Sequence, residues 1–175
     1  MCSVDQLSTL SQPPPTLGDH TFDPLPVTKA IALDPWLEPL PSPGPSPYAA
    51  RVSAESSEDT TPGLLVINSE GFTLWKPHFE RLKAVVEAWN GERGGDAKRA
   101  WLLTLVRAKH VSFSDFPLFF SLGSEAKMLL DAIGDVALGF LKGEAAQAIG
   151  RIRRASGEVS GKRFVGSSGD VVVHV

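Results

Sequence analysis

The sequence predicts an α+β fold: a helix-dominated compact body with one or two short β-hairpins, preceded by a disordered Pro-rich arm. Three observations predict it. Twelve of the fourteen prolines lie within the first 62 residues, and only Pro77 and Pro117 lie beyond. The charge divides at the same place: residues 1–62 hold two basic residues (Lys29, Arg51) against eight acidic ones, net −6, while residues 63–175 hold fifteen against twelve, net +3. Beyond residue 62, apolar side chains recur at helical spacing. The expected division is an acidic arm over 1–62 and a compact α+β domain over 63–175. A body of roughly 110 residues is enough for a single core, and a hydrophobic fraction of 42% lets it offset its ordering entropy.

In the arm, Pro13-Pro14-Pro15, Pro24-Leu25-Pro26 and Pro41-Ser-Pro-Gly-Pro-Ser-Pro47 remove amide donors and restrict the preceding residues. Polyproline II segments and turns are the expected state. Arg51 to Thr61 reads as linker. The exception is Ile31-Ala-Leu-Asp-Pro-Trp-Leu-Glu-Pro-Leu40, which concentrates Ile31, Leu33, Trp36, Leu37 and Leu40. It reads either as a linear motif that docks on a partner protein, with Trp36 as the anchor, or as a segment that packs back onto its own body.

The body opens with Leu64-Leu-Val-Ile67, Asn68-Ser-Glu-Gly71 and Phe72-Thr-Leu-Trp75. Two short β-prone runs around a Gly-containing turn predict a hairpin, with a strand followed by an irregular loop as the alternative. Pro77 suits a first helical turn, and Phe79, Leu82, Val85, Val86 and Trp89 make one apolar helix face that ends at Asn90-Gly91. Residues 91–95 read as a glycine-rich loop. Asp96 then caps a second expected helix to about His110, with Trp101, Leu102, Leu105 and Val106 on its apolar side and Lys98, Arg99, Arg107 and Lys109 on the remainder. Val111 to Leu122 is aromatic-rich and broken by Pro117, an irregular buried or half-buried segment. A third helix starts at Ser124 and carries Leu129, Leu130, Ile133, Val136, Ala137, Phe140 and Leu141. A short fourth spans Ala145 to Ala155. Residues 163–175 read as a second hairpin closed by Gly166 to Gly169.

The chemistry-bearing residues are sparse. His20, His78, His110 and His174 are not paired at metal-ligand spacing, and the single cysteine, Cys2, offers neither a disulfide nor a thiolate cluster. His110, at the expected end of a helix, reads as a dipole-stabilised structural imidazole. Gly157-Glu-Val-Ser-Gly161-Lys162-Arg163 has three residues between its glycines and arginine after lysine, so it is not a phosphate loop. No serine-centred elbow or Cys/His dyad appears. Asp131 and Asp135 read as a solvated stripe. The expectation is therefore no catalytic, cofactor or metal site, no small-molecule substrate and no enzyme. The one suggestive surface is basic: Arg151, Arg153, Arg154, Lys162 and Arg163, suited to an acidic membrane surface or nucleic acid, or to the acidic arm in cis.

No basic n-region and apolar h-region mark a secretory signal. Asp131 and Asp135 interrupt the longest apolar stretch, Met128 to Leu141, so no spanning helix is expected. The expected compartment is cytoplasm or nucleus.

The order of parts resembles rhabdovirus matrix proteins, which place a mobile Pro-rich arm ahead of a compact α+β body. The resemblance is one of layout, carried by Pro13-Pro14-Pro15 and by Leu64 to His110, although Thr16 stands where a PPxY motif needs tyrosine. It implies a non-enzymatic, self-associating assembly protein that contacts acidic membrane or nucleoprotein. The alternative is a regulatory adaptor that docks through Trp36, Leu37, Leu33 and Leu40.

Overall fold

The computed structural model describes residues 16–17, 20–21, 27–36, 62–90, 98–114 and 123–175. A two-residue pair, β1 (Thr16–Leu17) and β2 (His20–Thr21), runs antiparallel. Strands and helices then alternate: β3 (Lys29–Leu33), β4 (Gly63–Ser69), α1 (Glu70–Leu74), α2 (Lys76–Asn90) and β5 (Ala100–Leu105), followed by a 3₁₀ turn (His110–Phe113). After it come α3 (Gly123–Lys142), α4 (Ala145–Arg151), β6 (Val159–Ser160), β7 (Arg163–Phe164) and β8 (Val171–Val173). Among the described residues helix outweighs strand, so the expected mixed, helix-rich class is what the chain adopts.

The main sheet has the order β3-β4-β5-β8. β3, β4 and β5 are mutually parallel, and β8 is antiparallel to β5. Alternation along β4 explains the layers. Leu64 and Val66 point to one side, where they meet Leu82, Val86 and Trp89 of α2 together with Ala100 and Leu102 of β5. Leu65 and Ile67 point to the other, where they meet Leu129, Ile133, Val136 and Phe140 of α3 and Leu103 and Leu105 of β5. Each of these large side chains contributes about 1.5–3 kcal/mol by leaving water. The sheet is therefore covered on both faces, the usual condition of parallel strands.

That burial accounts for several corrections. The segment expected as a second helix from Asp96 to His110 is strand β5, then a turn. A strand buried on both faces reads as a continuous apolar run, and periodicity alone cannot separate it from a helix. The layout likeness over Leu64 to His110 changes with it. Phe72-Thr-Leu-Trp75 is not the second arm of a hairpin: β4 runs straight into α1, whose N-cap Ser69 accepts a hydrogen bond from Phe72 N–H at 3.2 Å. The C-terminal hairpin is also rearranged. β7 pairs with β6 across Gly161 (φ 65°), whereas β8 joins the main sheet.

The boundary at residue 62 moves as well. β3 lies inside the expected arm, yet it pairs residue for residue with β4, Lys29 opposite Gly63 through Leu33 opposite Ile67. Ala30 and Ala32 pack on one core cluster and Ile31 on the other. The segment around Ile31 thus packs back onto its own body. The Pro13–Pro15 and Pro41–Pro47 runs, the 51–61 linker, the 91–95 loop with Asp96, and Phe116, Phe119 and Phe120 lie outside the described residues. The helices α2 and α3 lie where their apolar spacing predicts, and α4 begins at the expected Ala145 but ends earlier than expected. No helix among the described residues is long and apolar enough to cross a membrane.

Candidate acid–histidine site

Parallel strands bring their carboxyl ends to one edge of the sheet, and in open sheets of this kind ligands bind beyond that edge. Three corners meet there. β3 ends at Leu33, and Asp34 follows in the left-handed region, with φ 46°. A non-glycine residue in that region is uncommon, with Asp among those enriched there. Its backbone N–H donates to Ile67 C=O at 2.8 Å, which fixes the turn against β4. β5 ends at Leu105, and Arg107 is likewise left-handed, with φ 69°. The reversal delivers His110 at the head of the 3₁₀ turn. That turn is held by Ser112 N–H donating to Lys109 C=O at 2.8 Å and Lys109 N–H donating to Ser112 Oγ at 3.0 Å.

The central corner, Ser69–Glu70 at the end of β4, ties the other two together. Ser69 N–H donates to Asp34 Oδ1 at 2.6 Å. Glu70 N–H donates to Ala108 C=O at 3.1 Å. The Glu70 carboxylate is buried and accepts two backbone N–H groups, from Arg107 on Oε2 and from Phe164 on Oε1.

At the meeting point, His110 Nδ1 lies 2.8 Å from Asp34 Oδ2. The Asp34 side chain is fully buried and that of His110 is 58% exposed. A buried carboxylate is costly unless its oxygens are hydrogen-bonded, and here each oxygen has a donor. An ionised carboxylate only accepts, so the proton of this contact sits on Nδ1. In the neutral imidazole Nε2 is then a bare lone pair, on a ring that reaches solvent. A buried acid that fixes the tautomer and orientation of an exposed imidazole is the arrangement of a general base with its orienting acid. The Phe72 ring stacks on His110, with centroids 5.2 Å apart and planes 19° apart.

Behind the corner runs a buried polar chain. Asn68 Nδ2 donates to Thr73 Oγ1 (3.0 Å), Thr73 Oγ1 donates to Ser69 C=O (2.9 Å), and Thr73 meets Thr104 Oγ1 at 2.6 Å. Thr104 in turn meets His174 Nε2 at 2.8 Å. Each hydroxyl has one proton. With that of Thr73 spent on Ser69, Thr104 donates to Thr73, and Nε2–H of His174 donates to Thr104. Burial lowers the pKa of His174 to about 4, and the charge of Lys83 adds to the effect.

Leu33 closes β3 and is 41% exposed, and Trp36 is 51% exposed. Leu37 and Leu40 lie outside the described residues. Arg151, Arg153 and Arg154 follow one another at and beyond the end of α4, and Arg153 Nε is paired with Asp170 Oδ1 at 2.6 Å. Lys162 and Arg163 stand exposed on the β6–β7 hairpin. Lys98, Arg99, Arg107 and Lys109 share no helix face, because they flank a strand. Lys98 lies 3.9 Å over the Trp101 ring, and its pKa is lowered by burial and then by the charge of Arg154. Among the described residues no group of three potential ligands surrounds a metal position.

Neither Asp34 nor His110 stands out in the sequence as a site residue, and His110 is not at a helix end. The signal was present in weak form. Each follows shortly after a β-prone apolar run, Lys29–Leu33 and Ala100–Leu105, and so sits at the carboxyl end of a strand. No protein-family model, no curated protein and no solved structure matches the chain.

Proposed function

We propose that the protein is a hydrolase of acyl-transfer type, an esterase, in which His110 is the general base and Asp34 the acid that orients it. The observation that carries the reading is the 2.8 Å contact between a fully buried carboxylate and a solvent-reaching imidazole beyond the carboxyl ends of parallel strands. The attacking nucleophile in this reading is water, activated at His110 Nε2.

The chemistry follows from the protonation already deduced. Nε2 takes a proton from a water molecule as the water oxygen attacks the ester carbonyl carbon. The imidazolium so formed is stabilised by the Asp34 carboxylate. His110 then returns the proton to the departing alcohol oxygen as its bond to carbon breaks. The acid product keeps the oxygen that water supplied, and His110 is left neutral.

The test is hydrolysis of a short-chain p-nitrophenyl ester by the full protein. His110→Gln removes the base. Asp34→Asn keeps the shape but offers an amide that favours the wrong tautomer. Each is expected to lower kcat/KM by roughly 10³-fold or more, with an unchanged far-UV spectrum. Turnover undiminished in both variants refutes the reading.

A further inference from the structure

One hydrogen bond does not fix a ring. The Nδ1–Asp34 contact anchors one edge of His110 and leaves the imidazole free to pivot about it, swinging Nε2 through an arc. A general base works only when its lone pair is held within about 10–20° of the productive direction. More than half of the His110 side chain is exposed, so general packing does not supply that restraint.

Phe72 does. Its ring lies nearly parallel to the imidazole, 19° off and 5.2 Å between centroids, the offset-stacked geometry. Phe72 is itself braced. Its edge meets His78 at 5.0 Å and 64°, and Trp75 lies 6.2 Å away at 79°. His78 is fully buried and stacks on Trp75 at 5.4 Å. The placement of Phe72 also shares its origin with that of the acid. Ser69 donates its N–H to Asp34 Oδ1, and its Oγ caps the short helix that carries Phe72 by accepting the Phe72 N–H. One residue thus sets both restraints on the imidazole: the hydrogen bond at its edge and the aromatic face against its plane.

We infer that Phe72 is a positioning residue, whose ring holds the His110 imidazole in the plane in which Nε2 meets the attacking water. The inference deepens the hydrolase reading and rests on it for the role of Nε2. The restraint on the ring stands on geometry alone.

The test pairs a spectroscopic signature with a rescue. In the intact protein, the Nδ1 proton of His110, held against Asp34, gives a low-field proton resonance that disappears in Asp34→Asn. Phe72→Leu keeps an apolar side chain but removes the flat face. It is expected to broaden that resonance by exchange with water and to lower kcat about tenfold with KM little changed, as misplacement of a reacting group does. Phe72→Tyr restores the face and is expected to recover both. A resonance that is lost in Asp34→Asn but stays sharp in Phe72→Leu overturns the inference and leaves the acid–histidine pair standing. A resonance that answers to Phe72→Leu and Phe72→Tyr in a protein with no ester turnover upholds the positioning role and sinks the hydrolase reading instead. If Phe72→Leu unfolds, Phe72→Tyr decides: a folded Tyr variant without the resonance overturns the inference.

Discussion

Asp34 is buried and His174 partly buried, and they have polar neighbours of different kinds. Asp34 has a donor on each oxygen, so its charge is held by hydrogen bonds from Ser69 N–H and His110 Nδ1. His174 faces a threonine hydroxyl and the Phe79 ring, 4.7 Å between centroids. Nothing there offsets a positive charge, and burial pushes its pKa from the ordinary 6.5 to about 4. The consequence for stability has a definite sign. In the unfolded chain His174 takes up a proton as the pH falls through about 6.5, whereas the folded chain resists it until about 4. Stability that is whole above pH 6.5 is therefore lost progressively between about 6.5 and about 4, with no further loss from this group below. Urea midpoints of the wild type and His174→Gln, compared at pH 7 and pH 4.5, check this. The wild type is expected to fall more steeply, and parallel declines contradict the account.

At the scale of elements, the helices and the strands owe their places to different ranges of interaction. α3 is set by its own apolar periodicity, and its contact with α4 by one missing side chain. A Cβ placed on Gly139 would lie 2.3 Å from Ala148 Cβ, closer than two carbons can approach. The same two helices are joined by Glu144 N–H donating to Gly139 C=O at 2.7 Å, so neither can slide away cheaply. Gly139→Ala should therefore destabilise by about 1–3 kcal/mol, despite the gain in helix propensity of up to about 1 kcal/mol that alanine brings. Gly134, also in α3, has open space where its Cβ would lie. Gly134→Ala is the control, expected to be neutral or mildly stabilising in the same thermal or chemical melt. Equal melts for the two variants would remove the close approach as an explanation. β5 shows the opposite case. Trp101 to Leu105 suits either state locally, and it is strand because β4 and β8 flank it and helices cover both its faces.

For the whole molecule, the decisive fact is that a strand from the proline-rich part of the sequence completes the sheet. Lys29–Leu33 supplies an outer parallel strand, Asp34 and apolar side chains to both core clusters. A chain beginning at residue 27 should keep the melting temperature of a 1–175 chain to within a few degrees. One beginning at residue 37 should lose cooperative unfolding or melt many degrees lower, because it exposes β4 and leaves Ser69 N–H without its acceptor. Two-state melts followed by circular dichroism distinguish these outcomes. Identical melts for the two truncations would return the fold to a division at residue 62.

The sequence by itself determined what is local. Apolar side chains at 3.6-residue spacing placed α2 and α3, and the break at Gly143-Glu144 placed the start of α4. Gly166 to Gly169 marked a turn, and Asp131 fell on a solvated stripe, where it pairs with Lys127 at 2.6 Å. Tertiary structure alone decided which runs are strands, because a strand buried on both faces takes its identity from neighbours that hydrogen-bond to it from elsewhere in the chain. It decided the site for the same reason. Asp34 and His110 are 76 residues apart, one in a segment that composition assigns to an unfolded arm and the other beyond a run that periodicity assigns to a helix. No spacing rule links them. The parallel register of β3, β4 and β5, fixed by burial on both faces, carries their carboxyl ends to one edge and so brings a buried carboxylate within hydrogen-bonding distance of an imidazole.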